Sequence, residues 1–249
     1  MPFAFAVVCE AAADFRTATT LAERVIRERV DWVDEESFAH CPLWHGSDQA
    51  RPYILWTEIG DLASAAGIRA HGHFGDQPGE HDAYSARRAL LLFKKWKLAG
   101  RPLDGVLLLR DDDRDASRRI GLEQASKVNH GFGDRVVVGL ARCVRESWAL
   151  VGYDPADSGE AELLNEVRTE LGYDPRSNSH ELKAKHISDK RSAKRVLGIL
   201  TRHDQDREAR CWEHAPLDRL RERGRESGLA DFLDEIRSRL LPLFRPAPK

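Results

Sequence analysis

Cysteine is scarce in this chain, and what there is does not pair. Cys9, Cys41, Cys143 and Cys211 are scattered through 249 residues without a Cys-x-x-Cys motif. That spacing argues against a disulfide framework and against a paired-ligand zinc site, and it suits free thiols in a reducing, cytoplasmic setting. No apolar run approaches the roughly 18 residues of a membrane span, and mean hydropathy is −0.52. The opening residues, Met1 to Glu10, carry no basic n-region and no long apolar stretch, so no secretory leader is expected. Repeats and low-complexity tracts are absent. There is no GxxxxGK[ST] loop, which excludes a P-loop ATPase, and no GxSxG elbow or HExxH pair. With 41 acidic and 39 basic side chains the net charge of −2 excludes a global polycation. The charged fraction of 32% still leaves room for a local basic face.

Against these absences stands one dense segment, Gly105-Val-Leu-Leu-Leu-Arg-Asp-Asp-Asp-Arg-Asp115. A continuous apolar run reads as a strand buried on both faces. Its abrupt end in carboxylates places acid where α/β proteins put their chemistry, at the carboxyl end of a parallel strand. Asp111, Asp113 and Asp115 alternate, so several oxygens can crowd together, and crowded carboxylates need protons or cations. A hard divalent ion, Mg²⁺ or Mn²⁺, is one neutraliser. A solvated acidic turn balanced by Arg110, Arg114, Arg118 and Arg119 is the other reading of the same residues.

Apolar spacing predicts a strand over Phe3–Cys9 and a helix opened by an Asp14 cap and carried by Phe15, Ala18, Ala22, Val25, Ile26 and Val30. An irregular excursion covers Asp34 to Pro52. A strand at Tyr53–Thr57 and a short helix at Asp61–Ala66, stopped by Gly67, come next. Gly72 to Gly79 reads as loop, Asp82 as the cap of a helix reaching about Lys97, and Asp115–Val128 as another helix. Arg135–Ala141 is a further strand. This alternation predicts an α/β fold with a mainly parallel sheet flanked by helices. After Trp148 the texture changes, so the expected division is a core at 1–152 and a C-terminal helical extension at 153–249. Within the latter, Asp154–Leu171 is partly helical, Gly172–Asp189 is a turn-rich loop or linker, and Ser192–Thr201 is a helix. Leu229, Phe232, Leu233, Ile236 and Leu240 form an apolar stripe that should dock on the sheet domain, a partner interface being the second reading.

Glu10 ends the first strand as Asp111 and Asp113 end a later one. Neighbouring parallel strands lie about 4.8 Å apart, so their carboxyl-end loops can share one metal site. An apolar strand followed by Glu10-x-x-x-Asp14, and a second followed by Asp111-x-Asp113, resembles the Toprim signature, with Ala11 where that family carries glycine. The likeness covers roughly residues 3 to 150. It is nearest to small stand-alone OLD-like Toprim nucleases of bacteria, which Arg145-Glu146-Ser-Trp-Ala-Leu150 also resembles at the segment after the last core strand. The resemblance implies Glu10, Asp111 and Asp113 as ligands of Mg²⁺ or Mn²⁺, Asp14 as a supporting or second-metal carboxylate, and Glu146 as a further ligand. From the residues alone, Asp14 is equally a helix cap and Glu146 an ion-pair partner of Arg142 or Arg145.

A basic segment, Lys183, Lys185, Lys190, Arg191, Lys194 and Arg195, has the charge to track a phosphate backbone, or is a solvated helix face. Lysines of this kind serve OLD-like nucleases, and Lys194 is the first candidate to stabilise a leaving oxygen. His71-x-His73 with Asp76 and His81, and Cys41-x-x-x-His45, lack the ligand framework of structural zinc, though His73 or His81 can face the site from its loop. Gly131-Phe132-Gly133 is too short for a phosphate loop. The function expected is metal-dependent phosphodiester hydrolysis of nucleic acid, DNA before RNA. The family likeness adds bacterial anti-phage defence and a separate ATPase subunit. A non-catalytic regulatory or binding subunit of an ATPase complex is the alternative. A small-phosphate hydrolase on an unrelated α/β fold is a third.

Overall fold

A computed structural model describes residues 3–30, 43–47, 50–128 and 131–244. Cys41, most of the Asp34–Pro52 excursion, and the closing Pro246 and Pro248 lie outside the described residues. The strands are β1 (Ala4–Cys9), β2 (Leu43–His45), β3 (Ile54–Leu55), β4 (His73–Phe74), β5 (Gln77–Pro78), β6 (Gly105–Asp111) and β7 (Val136–Ala141). The helices are α1 (Ala12–Arg27), α2 (Ile59–Ala65), α3 (Ala83–Leu98), α4 (Ser117–Ser126), α5 (Glu146–Gly152), α6 (Ser158–Leu171), α7 (Ala193–Leu200), α8 (Gln205–Glu213), α9 (Leu217–Arg223) and α10 (Leu229–Glu235).

The main sheet runs β2-β1-β6-β7, with β3 on the same edge of β1 as a second short segment. β1 is parallel to β2 from Ala4 to Ala6, to β3 at Val8 and Cys9, and to β6 from Phe5 to Val8. Val106 N donates to Arg135 O and Asp112 N to Ala141 O. The constant spacing of those two bonds makes β7 parallel as well. The expected mainly parallel α/β fold is therefore what the chain adopts. Every residue of β1 and β7, and Gly105 to Leu109 of β6, is buried. A sheet covered on both faces explains why these strands read as unbroken apolar runs. β4 and β5 make a separate antiparallel pair where a plain loop was expected.

Contacts divide the chain into two compact units: residues 1–110, 115–139 and 234–249, and residues 111–114 and 140–233. This differs from a boundary near 152, because contacts follow space and the chain crosses between units more than once. In the first unit, α3 packs beside α4. Gly121 permits the approach, since a Cβ there would lie 1.9 Å from His81 O. Gly105 likewise leaves room for Arg135 O and the Phe5 ring. The tail does not form one continuous helix. α10 stops at Glu235, a π turn takes Ile236–Leu240 and a 3₁₀ turn Leu241–Phe244. Ile236–Leu240 packs on α1, and Phe244 meets Phe3 edge-on at 4.7 Å and stacks on Phe5 at 6.3 Å. Leu229, Phe232 and Leu233 belong instead to the second unit.

Two expected caps are corrected. Ala11, extended at φ −151°, takes the N-cap position of α1, and Asp14 is three residues further in. Asp14 reaches back to accept from Glu10 N at 3.1 Å and Ala11 N at 2.8 Å. It therefore satisfies end N–H groups from inside the first turn, where a carboxylate also meets the positive helix end. Asp82 stands at the N-cap of α3 in a left-handed conformation, φ 65°, without capping through its side chain. Its carboxylate is engaged by arginines described below.

The second unit is organised around α5. Trp148 stacks on Phe232 at 5.0 Å, and its indole N–H donates to Ser227 O at 2.9 Å. A Cβ on Gly152 would lie 1.8 Å from Cys211 O, so glycine lets α8 close on α5. Asp157, Ser192 and Asp204 cap α6, α7 and α8 through their side chains. The segment 172–189, expected as loop or linker, holds a 3₁₀ turn at Ser179–Glu181 and a bridge from Lys183 to Ser192. Among the described residues no helix is long and apolar enough to cross a membrane.

Glu160 is a buried charge of this unit, with its side chain 10% exposed. Arg207 Nε and Nη2 each approach a Glu160 oxygen at 2.7 Å. Ala156 N donates to the same carboxylate at 2.8 Å and Tyr153 OH at 3.3 Å. The hydrogen bonds from Arg207 outweigh burial and hold the carboxyl near 2 against an ordinary 4.5. A carboxyl held below its unfolded value stabilises the fold above pH ~4.5, and that stabilisation fades as pH falls toward ~2. Over that window the loss should reach about 3 kcal/mol. Glu160→Gln should be less stable at pH 7 and lose most of this acid dependence. Chemical denaturation at several pH values checks both.

Candidate functional site

In the first unit, polar side chains gather where the apolar strands run out. Glu10 follows β1 directly and its Oε1 lies 3.2 Å from Arg110 Nη1. Arg110, at the matching end of β6, forks onto Asp82, with Nε to Oδ2 at 3.1 Å and Nη2 to Oδ1 at 3.2 Å. Arg118 Nη1 adds a third approach to Asp82 at 3.3 Å. Asp82 has a side chain only 6% exposed, so it needs these partners. Trp56 fixes the strand end by donating its indole N–H to Leu109 O at 2.7 Å. His81 Nδ1 sits 2.5 Å from Asp115 Oδ2, while Asp115 Oδ1 accepts from Ser117 Oγ at 2.6 Å and Ser117 N at 3.0 Å. Ser117 first, then His81, lowers the Asp115 carboxyl to about 2. His71 Nδ1 is engaged by Arg87 Nη1 at 2.9 Å, and His73 O accepts from the same group at 2.6 Å.

In the second unit the acidic turn is held from within. Asp112 Oδ1 accepts from Cys143 N at 2.7 Å and from Arg114 N at 2.9 Å. Asp113 (φ 47°), Arg114 (φ 67°) and Cys143 (φ 69°) are all left-handed. Non-glycine residues rarely adopt that backbone, and a carboxylate drawing in two N–H groups is a local reason for it here. The turn borders a cavity of about 230 Å³. Asp113, Arg114, Cys143, Lys183, Lys185 and Lys194 are among the residues that line it. Ser192 caps α7 and so presents Lys194 in that helix's first turn. The Lys183–Ser192 bridge brings the other two lysines alongside. Burial pushes the Cys143 thiol up, with Asp112 adding to it.

Two of the expected site residues, Asp113 and Lys194, therefore line one cavity although about eighty positions separate them. Glu10 and Asp14 belong to the first unit, and Asp111, Asp113, Glu146 and Lys194 to the second. Asp14 has one oxygen occupied by the two N–H groups of the α1 start. Glu146 pairs with Arg145 at 3.3 Å, the ion-pair reading of that residue, while Arg145 also takes Glu208 at 2.8 Å. Arg195 forks onto Glu170 at 3.0 Å and does not line the cavity. Among the described residues no group of three His, Cys, Asp or Glu side chains is gathered closely enough to hold a metal ion. Asp82 and Asp112 escaped the sequence reading as site residues, and the pairing of His81 with Asp115 was not foreseen although each was singled out. Asp112 had a usable signal, since alternation turns it away from Asp111 and Asp113.

No family model, curated protein or solved structure matches the chain.

Asp112→Ala removes the acceptor for two N–H groups and should destabilise the second unit by about 1–3 kcal/mol. Asp112→Asn, which keeps one oxygen, should lose less. Thermal unfolding of both variants beside the parent protein checks the order.

Proposed function

We propose that the chain is a metal-dependent phosphodiesterase acting on nucleic acid, with DNA as the first substrate to test. The observation that carries this reading is the cavity that Asp113 lines together with Lys183, Lys185 and Lys194. Three ammonium groups and Arg114 around one carboxylate form a site suited to a phosphate anion. The Toprim-like pattern of Glu10, Asp14, Asp111 and Asp113 supports a hydrolytic reading.

Glu10, Asp111 and Asp113 each offer the hard carboxylate oxygens that Mg²⁺ or Mn²⁺ takes, but among the described residues no three such groups are gathered to hold the ion. The family likeness alone assigns the ion to these residues, with Asp14 and Glu146 as further oxygen donors. Such an ion, when bound, balances charge on the phosphate and acidifies water. The chain's own residues supply the rest. Lys183 and Lys185 draw in the backbone phosphate and Arg114 orients its oxygens. Lys194 stabilises the leaving oxygen and passes it a proton. The buried free thiols of Cys9, Cys143 and Cys211 support a cytoplasmic setting. A role in bacterial defence beside a separate ATPase rests on the family likeness.

One observation favours a second reading, a non-catalytic regulatory subunit of an ATPase-containing complex. Arg110 already balances Glu10 at 3.2 Å.

Purified protein incubated with plasmid and Mn²⁺ should nick it, and EDTA should stop the reaction. Asp111→Ala should lower the rate by about 100-fold or more, and Lys194→Ala by about 10- to 100-fold. Intact plasmid at every Mn²⁺ concentration, together with stable co-purification of an ATPase, would favour the subunit instead.

A further inference from the structure

A second cationic site lies within the second unit, built from residues absent from the cavity just described. Asp154 follows α5 and carries one negative charge. Three guanidinium groups converge on it: Arg176 Nη1 and Arg223 Nη1 lie 3.2 and 3.1 Å from Oδ1, and Arg219 contacts Oδ2. Arg223 is also held by the carbonyls of Val151 and Tyr153, each at 3.4 Å. Asp174 partly balances Arg176, at 2.8 Å, but also takes Arg168 at 3.3 Å. Burial, with Arg176 and Arg219 close by, disfavours the charged form of Arg223. The cluster is thus richer in cations than its carboxylates balance.

These arginines border a cleft of about 440 Å³, lined by Ser177, Arg219, Glu222, Arg223, Arg225 and Glu226. Glu226 is partnered by Arg142 at 3.4 Å. Arg225 is exposed and stands at the α9 end of the lining. Arg219 is 40% exposed at its side chain, so its guanidinium reaches the cleft while keeping Asp154. We propose that this cleft binds a phosphate group, held by the guanidinium groups of Arg219, Arg223 and Arg225 and the hydroxyl of Ser177. Planar forked donors match phosphate oxygens, and several arginines on one carboxylate leave positive charge for a second anion. Asp154 acts as a positioning residue, since it aligns Arg219 and Arg223 before any ligand arrives. The proposal stands apart from the hydrolytic reading, because it needs neither Asp113 nor Lys194.

The test is calorimetric titration of the full chain with inorganic phosphate at low ionic strength. Binding is expected. It should weaken about tenfold or more in Arg219→Ala/Arg225→Ala. Arg225→Glu alters only an exposed side chain, so it guards against a folding failure, and it should weaken binding too. Lys194→Ala should leave this event in place. Absence of binding by the parent protein, or binding lost in Lys194→Ala and unchanged in both arginine variants, would overturn the proposal. Oligonucleotides with and without a 5′-phosphate, set beside a mononucleotide, distinguish the source. Equal binding of both oligonucleotides points to backbone phosphates. Preference for the phosphorylated end or the mononucleotide points to a terminal phosphate. In either case the arginine variants must show the loss.

Discussion

A strand buried on both faces has nowhere to place charge except its ends. β1, β6 and β7 each run apolar through the sheet, and the first ionisable side chains after β1 and along β6 are Glu10 and Arg110. The parallel arrangement then matters, because it sends those polar ends the same way. An antiparallel sheet would alternate them between opposite edges. The concentration of acid after β1 and β6 follows from burial and strand direction together, with no ligand required.

Concentrated acid must be neutralised, and this chain does so largely with its own groups. Asp82 is nearly buried and takes Arg110 and Arg118. Asp112 takes two backbone N–H groups. Asp115 is satisfied by Ser117 and His81. Glu160 in the second unit follows the same rule with Arg207. At the buried Asp82 and Glu160, removing one partner leaves a charge that the surroundings cannot solvate, which costs more than the pair itself contributes. These contacts therefore fix turns and helix starts more than they add net stability. Asp112 shows this most directly. The left-handed Asp113 and Arg114 follow it in sequence, and the N–H of left-handed Cys143 is one of the two it accepts.

Periodicity carried the elements. Continuous apolar runs marked β1, β6 and β7, Gly67 marked the end of α2, and Ser192 the start of α7. These signals are local, so a sequence displays them. The misplaced features, Asp14 excepted, depend on distant partners. Asp82 sits at a helix start as expected, yet its carboxylate is taken by arginines from β6 and α4, which no neighbouring residue announces. Asp14 has the right chemistry for a cap but stands three residues inside. The apolar stripe from Leu229 to Leu240 keeps helical spacing, yet the backbone loosens to a π turn at Ile236, where the chain passes from one compact unit to the other. That Asp113 and Lys194 line one cavity was legible only as two separate suspicions, because nothing in spacing links residues so far apart.

Charge inside the cavity sets an order on what it can accept. Among the described residues Asp113 is the one acidic group lining it, against Arg114, Lys183, Lys185 and Lys194. Lys183 is partly balanced by Glu181 at 3.0 Å, which still leaves a cationic surplus. A free cation approaching Asp113 would meet that surplus as repulsion, whereas an anion would be attracted by it. Once phosphate oxygens lie among the lysines, the repulsion falls and the Asp113 carboxylate becomes a better place for positive charge. Anion and cation binding should then reinforce one another, each raising the affinity for the other by the same factor. On the proposed reading, such a cavity takes its anion before its cation.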